Sequence, residues 1–347
     1  MPNPYTTKLN LKTGKVDLSH GGGGRAMAQL IDELFIKHFD NDLLRQHNDQ
    51  ALFNVPAGRL AISTDSYVIS PLFFPGGDIG SLAVHGTVND VAMSGAKPLY
   101  LSAGFILEEG LPLADLEQIV ISMADAAKRA GTPIVTGDTK VLERGKGDGV
   151  FINTTGVGIV PEGVAISGNR AQPGCAILVS GSIGDHGVAI MAGRENLQFE
   201  TTIVSDSAAL NGLVADMVAA APADIHCLRD PTRGGLATAL NELAQQSGVG
   251  IVIDETQVPI KSEVKAACEI LGLDPLYVAN EGKLVCICAA DAAERLLAVM
   301  RQHPLGRDAA IIGEVIADDH HFVQMTTAFG GRRIVDWPVG EQLPRIC

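Results

Sequence analysis

The sequence of 347 residues exceeds what a single hydrophobic core usually supports, so two domains are expected. With 46% hydrophobic and only 19% charged residues, it has the apolar material for large cores and lacks the composition of a disordered chain. A formal charge of −14 disfavours non-specific contact with nucleic acid or anionic membranes; it still permits a nucleotide whose phosphates are neutralised by metal ions and backbone amides.

Residues 1–50 read as a glycine-rich lead-in, with a loop at Ser19-His20-Gly21-Gly22-Gly23-Gly24 and a helical stretch over 27–39. No apolar run suits a signal peptide or a membrane span. A strand is expected over 59–63, running into Thr64-Asp65-Ser66, followed by a helix over 80–94 with apolar positions at Leu82, Val84, Val88, Val91 and Ala92. Residues 98–107 read as a strand, and 112–130 as an amphipathic helix stopped by Gly131 and Pro133. A short strand over 134–136 is expected to enter a turn, Thr136-Gly137-Asp138-Thr139-Lys140. A strand over 150–160 closes a first domain at 51–160, and 161–174 reads as the linker.

The second domain is expected at 172–336. Strand 176–180 leads into Gly181-Ser182-Ile183-Gly184-Asp185-His186-Gly187, whose glycines suit a phosphate nest. Helices are expected over 206–221, 234–246, 261–271 and 292–302, with strands over 251–253, 284–288, 311–316 and a final pair within 322–336. A second turn, Ala279-Asn280-Glu281-Gly282-Lys283, repeats the first domain's spacing of a carboxylate and a lysine two positions later, which suggests duplication. Cys286-Ile287-Cys288 lies in a buried-strand composition and reads as core, not as a metal pair. The six cysteines include no C-x-x-C, so reducing cytosol is the expected compartment. Residues 337–347 form an extended, proline-bounded arm ending in Pro344-Arg345-Ile346-Cys347. A thiol there reads as a nucleophile presented to several sites in turn, against the plainer reading of a frayed tail.

Neither G-x-x-x-x-G-K-[ST] nor a strand-to-helix G-x-G-x-x-G is present. Carboxylates at element ends stand in their place: Asp65, Asp90, Asp138 and Asp230. Mg²⁺ takes oxygen ligands, typically a few carboxylates completed by phosphate oxygens and water, although each Asp alone is also what a cap requires. His20 and Gly21, Gly22, Gly23 and Gly24 suit closure over phosphates, because glycine lets backbone N–H groups approach closely.

The Ser-His-Gly-rich loop, Ser63-Thr64-Asp65, Asn89-Asp90-Val91-Ala92-Met93-Ser94-Gly95-Ala96-Lys97-Pro98, Thr136–Lys140, Asp230-Pro231-Thr232-Arg233-Gly234-Gly235 and the terminal Pro-Arg-Ile-Cys together resemble one family over nearly the whole chain. It is the HypE family of hydrogenase maturation carbamoyl dehydratases, in the aminoimidazole ribonucleotide synthetase-like superfamily. The aspartate motifs are common to the superfamily; the terminal Pro-Arg-Ile-Cys is particular to HypE. The resemblance implies an α/β fold of two domains: an N-terminal domain that dimerises through its sheet, and a C-terminal domain with a flexible C-terminal tail. ATP is expected between them. It implies that a HypF-like carbamoyltransferase loads Cys347, that ATP drives dehydration of the S-carboxamide to an S-cyanide, and that a HypC–HypD complex accepts the cyanide on iron destined for [NiFe]-hydrogenase. By motif, Asp65, Asp90 and Asp230 correspond to metal (Mg²⁺) aspartates, and Lys140 and Glu281 to the proton-transfer pair. Asn89, Asp138 and Thr232 join the glycine loop as nucleotide-binding candidates. His85 and His226 adjoin these motifs and are read as structural.

The chemistry demands such a set. An amide oxygen is a poor leaving group; once phosphorylated it leaves as phosphate, and loss of a proton from nitrogen yields the nitrile. Phosphate-binding amides, Mg²⁺ carboxylates and a base near nitrogen are therefore required. The rivals are a small-molecule ATP-dependent synthetase or kinase of the same superfamily, for which the terminal thiol is dispensable, and a nucleotide-regulated scaffold without cysteine-dependent ATP consumption.

Overall fold

The computed structural model describes residues 8–48, 50–194, 203–338 and 345–346. In the lead-in, α1 (Arg25–Leu30), a π-helical stretch (Ile31–Ile36) and α2 (Lys37–Phe39) follow without a break. They bury Leu30, Leu34 and Phe35, with Val16, in the same core as the first sheet. That sheet forms from β1 (Arg59–Tyr67), β4 (Lys97–Glu108), β5 (Ile134–Leu142) and β6 (Val150–Val160), in the order β1-β6-β4-β5. A small ladder of β2 (Phe73–Phe74) and β3 (Gly77–Asp78) leads into α3 (Ile79–Ala92), and α4 (Leu113–Ala130) packs beside it. Asp78 caps α3: its carboxylate accepts from the Gly80 and Ser81 amides at 2.8 and 3.0 Å, and the Ser81 hydroxyl accepts from the Asp78 N–H at 3.1 Å. Gly131 ends α4 in the left-handed conformation, as expected.

The helices cover one face of this sheet. The other face stays open, with Leu60, Ile62 and Ile106 exposed by 57%, 72% and 42%. One expectation fails here. Thr136–Lys140 is not a turn, because β5 runs on to Leu142, paired in parallel with β4 from Ser102↔Thr136 to Glu108↔Leu142. Residues 279–283 are not in a strand, so the suggested duplication of two turns is not structural.

The second sheet has seven strands: β7 (Ala176–Val179), β8 (Ile225–Arg229), β9 (Gly250–Asp254), β10 (Val285–Cys288), β11 (Ala310–Ile316), β12 (Val323–Thr326) and β13 (Arg332–Ile334). Their order is β13-β12-β9-β11-β7-β10-β8, with only β12 and β9 parallel. Five helices accompany it: α5 (Asp185–Arg194), α6 (Asn211–Ala220), α7 (Gly235–Ser247), α8 (Ser262–Leu271) and α9 (Ala293–Gln302). Cys286 and Cys288 face the core under α6 and α9, while Ile287 faces the core under α7. The Cys-x-Cys is thus packing, as read.

Two local expectations differ. The predicted phosphate nest leads into α5, and two of its central amides are already spent: Ile183 donates to the Pro259 carbonyl at 3.0 Å and Gly184 to Asn280 Oδ1 at 2.7 Å. The helix expected from 206 starts at Asn211. The preceding residues form a non-helical strap, in which the Leu210 amide donates to Asn89 at 2.7 Å and the Ala208 amide to the Glu281 carbonyl at 3.3 Å. Val188, Ala189 and Ile190 of α5, Val264 of α8 and Ile346 all lie in the first sheet's core, so the two halves share apolar packing.

Candidate active site

Four carboxylates from distant parts of the sequence converge between the halves. Asp65 lies on the helix-covered side of β1, Asp90 on α3, Asp230 just beyond β8, and Glu281 in the loop before β10. All four, with Thr232, line one cavity of about 280 Å³. Gly235 allows this closeness: its φ is +61°, and a Cβ there would come within 2.6 Å of the Leu276 and Val278 carbonyls. Asp90 accepts from the Ser63 hydroxyl at 2.8 Å, and Asp65 from the Ser66 amide at 2.8 Å.

Like charges crowded in a half-dry cavity resist ionisation. The Asp230 carboxyl is pushed up to about 7, chiefly by burial and then by Asp90. Asp90 is raised too, first by burial. Glu281 is raised well above the carboxylate range by burial, then by Asp230 and Asp206. Its Oε1 is buried and makes no hydrogen bond. Asp206, on the strap, behaves oppositely: burial pushes it up, but Lys283 at 2.9 Å and the nearby His186 outweigh that and hold it low.

Asn89 does not line this cavity. Its amide donates to the Ala208 and Glu281 carbonyls at 3.0 and 3.3 Å while its oxygen accepts from Leu210, so it ties the strap to α3. His85 donates or accepts at Ser207 Oγ, 2.9 Å away, and burial pushes its pKa down to about 4. His226 meets the Cys175 sulfur at 3.2 Å.

The remaining predicted residues gather elsewhere. His20 is buried and its Nδ1 accepts from the Asp17 amide at 3.0 Å. Gly21 packs so tightly on β5 that a Cβ would meet the Val141 nitrogen at 2.8 Å, whereas Gly23 and Gly24 are open. Asp138 and Lys140 form a 2.6 Å ion pair on β5, each side chain 62% exposed. The pleat puts both on the open face of the sheet, with Ile106. Between β5 and β1 lie β4 and β6, three strand spacings or about 14 Å in all. Within one chain, then, Lys140 and Glu281 do not meet. Cys347 lies outside the described residues.

Sequence reasoning assigned no role to Arg229 and Arg233, which also line the acidic cavity. Arg229 pairs with Glu242 at 2.9 Å. Arg233 is exposed and, among the described residues, makes no ion pair, so its charge is available to an anion. It was visible as the cation inside the Asp230–Gly235 motif.

Comparison with known proteins identifies the two halves. Residues 47–160 match the AIR synthase related protein, N-terminal domain, and residues 172–326 the corresponding C-terminal domain. The carbamoyl dehydratase HypE of Cupriavidus necator is 68% identical over 344 residues, covering 99% of this chain and 98% of the relative. A crystal structure of HypE in complex with ATP superposes with a TM-score of 0.92 at 55% identity, covering 95% of this chain and 99% of that one. The HypE chain of a HypE–HypF complex gives a TM-score of 0.79 at 53% identity, covering 89% and 99%.

Proposed function

The chain belongs to the HypE family of carbamoyl dehydratases, among the AIR synthase related proteins, and from that premise we propose how its residues divide the work. It is an ATP-dependent dehydratase of hydrogenase maturation, converting an S-carboxamide on Cys347, the last residue of the sequence, to an S-cyanide. The amide oxygen takes the γ-phosphoryl group of ATP, releasing ADP. Nitrogen gives up one proton as the imidate phosphate forms; the C–O bond then breaks with departure of phosphate as the second proton leaves nitrogen, forming C≡N. The oxygen of the lost water ends in phosphate.

The observation that carries the site assignment is the acidic cavity between the halves, where Glu281 Oε1 is buried without a partner beside three aspartates. Such a donor set fits a divalent cation. Asp65, Asp90 and Asp230 would hold Mg²⁺. Among the described residues no three His, Cys, Asp or Glu side chains, these aspartates included, stand close enough to hold a metal ion by themselves, so phosphate and water oxygens would have to complete its ligands. The ion would neutralise phosphate charge as it is transferred. Thr232 and Arg233 line the same cavity and would donate to phosphate oxygens. Glu281 is suited to receive the amide proton once surrounding charge is compensated, since its raised pKa makes it a stronger base than an exposed carboxylate.

A second copy completes the arrangement in this reading. The open face carrying Leu60, Ile62 and Ile106 also carries Asp138 and Lys140. Pairing two such faces as a homodimer would bring Lys140 and the His20–Gly24 loop of one copy toward the acidic cavity of the other. Asn89 acts by fixing the Glu281 loop. A HypF-type carbamoyltransferase loads Cys347, by likeness to the HypE–HypF complex. A HypC–HypD complex is the proposed cyanide acceptor, and the cytoplasm the proposed location. No helix among the described residues is long and apolar enough to cross a membrane.

The rival synthetase or kinase reading is tested together with this one by intact-mass measurement. Incubation with the carbamoylating partner should add about 43 Da, and ATP should then remove about 18 Da. Cys347→Ala should show neither change. Carbamoyl mass on the Cys347→Ala chain would assign the acceptor to another cysteine and overturn the carrier role.

A further inference from the structure

The end of the arm does not lie free. Ile346 is only 4% exposed and sits in the core that joins α5 and α8 to the first sheet. His186, fully buried on α5, has Nε2 at 2.6 Å from the Ile346 carbonyl and Nδ1 at 2.7 Å from Ser205 Oγ. A carbonyl only accepts, so Nε2 carries the proton and donates, and Nδ1 accepts from the serine hydroxyl. The Ser205 oxygen in turn accepts from the Ser207 amide at 3.1 Å. Phe74 meets the imidazole edge-on at 5.6 Å. Both ring nitrogens are therefore committed in one tautomer and one orientation.

A cation reaches the preceding carbonyl. The Arg194 guanidinium donates to the Arg345 carbonyl and, at 2.6 Å, to that of Ser70, whose own amide donates to the Arg345 carbonyl at 3.2 Å. Arg345 ties back to the first half through the Val68 carbonyl at 3.2 Å and Asp148 at 2.9 Å. Consecutive backbone carbonyls are thus gripped by side-chain donors from α5.

Simple tail packing would not account for where this grip is anchored. The residue after Ser205 is Asp206, which accepts from the Glu281 amide at 3.0 Å and pairs with Lys283 at 2.9 Å. One side of the Ser205-Asp206 pair steadies the histidine that holds the arm; the other side steadies the loop that presents Glu281. The end of the arm and the acidic cavity are registered to each other through two adjacent residues.

We propose that His186, Arg194 and Ser205 form a receptor for an extended peptide end, reading backbone carbonyls and one aliphatic side chain, and that as positioning residues they hold Cys347 in register with Glu281 for the dehydration step. This rests on the dehydratase reading above. A charged donor lost from a carbonyl is worth a factor of roughly ten to a hundred in a docking equilibrium.

Thiol accessibility in the full chain tests docking without any chemistry at the site. Cys175, Cys227, Cys268, Cys286 and Cys288 are buried, so a small aromatic disulfide reagent reports Cys347 selectively. Arg194→Ala should raise the Cys347 reaction rate roughly tenfold or more, and Arg194→Lys should restore part of the protection. Ile346→Ser, which removes the aliphatic contact and leaves both donors in place, should do likewise. In chains loaded to the same extent with carbamoyl, single-turnover loss of about 18 Da should slow by a comparable factor in Arg194→Ala and recover in part in Arg194→Lys. Unchanged thiol reactivity in both Arg194→Ala and Ile346→Ser would overturn the receptor. Raised reactivity with unaltered dehydration would overturn the positioning role. A wild-type chain that protects its thiol yet never loses water would instead overturn the dehydratase reading alone.

Discussion

Asp230 illustrates how far a carboxyl can be moved by its neighbours. A free aspartate titrates near 3.9, whereas this one is pushed up to about 7 by burial and by Asp90. Between those values the folded chain holds a proton that the unfolded chain has released, so the contribution to stability is present at low pH and lost as pH rises toward 7. Asp90 and Glu281 are shifted the same way. The metal-free, nucleotide-free chain should therefore lose thermal stability between about pH 4 and pH 7. Mg²⁺ with ATP should recover much of that loss at neutral pH by binding the ionised form. Asp230→Asn should flatten the profile and weaken Mg·ATP; thermal melts across a buffer series would show it, and a slope indifferent to Asp230→Asn would place its origin elsewhere. The aspartates themselves were legible in the sequence as motifs. The upward shifts of Asp90 and Asp230 were not, because they come from burial and from carboxylates on β1, α3 and the end of β8 that only folding brings together.

At the scale of elements, what the chain's own periodicity governs was readable. The alternation in Val150–Val160 and the apolar stripe ended by Gly131 gave β6 and α4 nearly to the residue. What depends on a neighbour was not. Gly137-Asp138 looks like a turn, yet β4 supplies a parallel ladder that carries β5 through it. Residues 206–210 have helix-forming composition, but Asn89 and the Glu281 loop hold them out of the helix. The same dependence gives a prediction for the glycine loop. Gly21 sits against β5 with no room for a Cβ, so Gly21→Ala must displace the loop from Val141. ATP affinity should fall several-fold with a thermal midpoint close to wild type, since the loop covers the sheet edge and not the core interior. Calorimetric titration beside a melt separates the two, and unchanged affinity would detach the loop from the nucleotide.

At the scale of the molecule, the unresolved relation is between two residues that the family pattern couples and a single chain keeps apart. Lys140 stands on the open face at the β5 edge, and Glu281 is buried beyond β1 at the other. No sequence reading of one chain could reveal this, because the strand order that separates them is itself a tertiary fact. If the open faces of two copies meet, each catalytic centre draws Lys140 from one copy and Glu281 from the other. Lys140→Ala and Glu281→Gln chains should each be inactive in dehydration while still accepting carbamoyl on Cys347, because removal of the amide proton belongs to the second step. Mixed in equal amounts and allowed to exchange, half the dimers would be hybrids. Each hybrid would hold one centre with both residues intact, so dehydration should return to about one quarter of the wild-type rate. Sedimentation would confirm that the mixture is dimeric. A mixture that stays dimeric and inactive after exchange would mean that the two residues act within one chain or not together, and would remove Lys140 from the proton path.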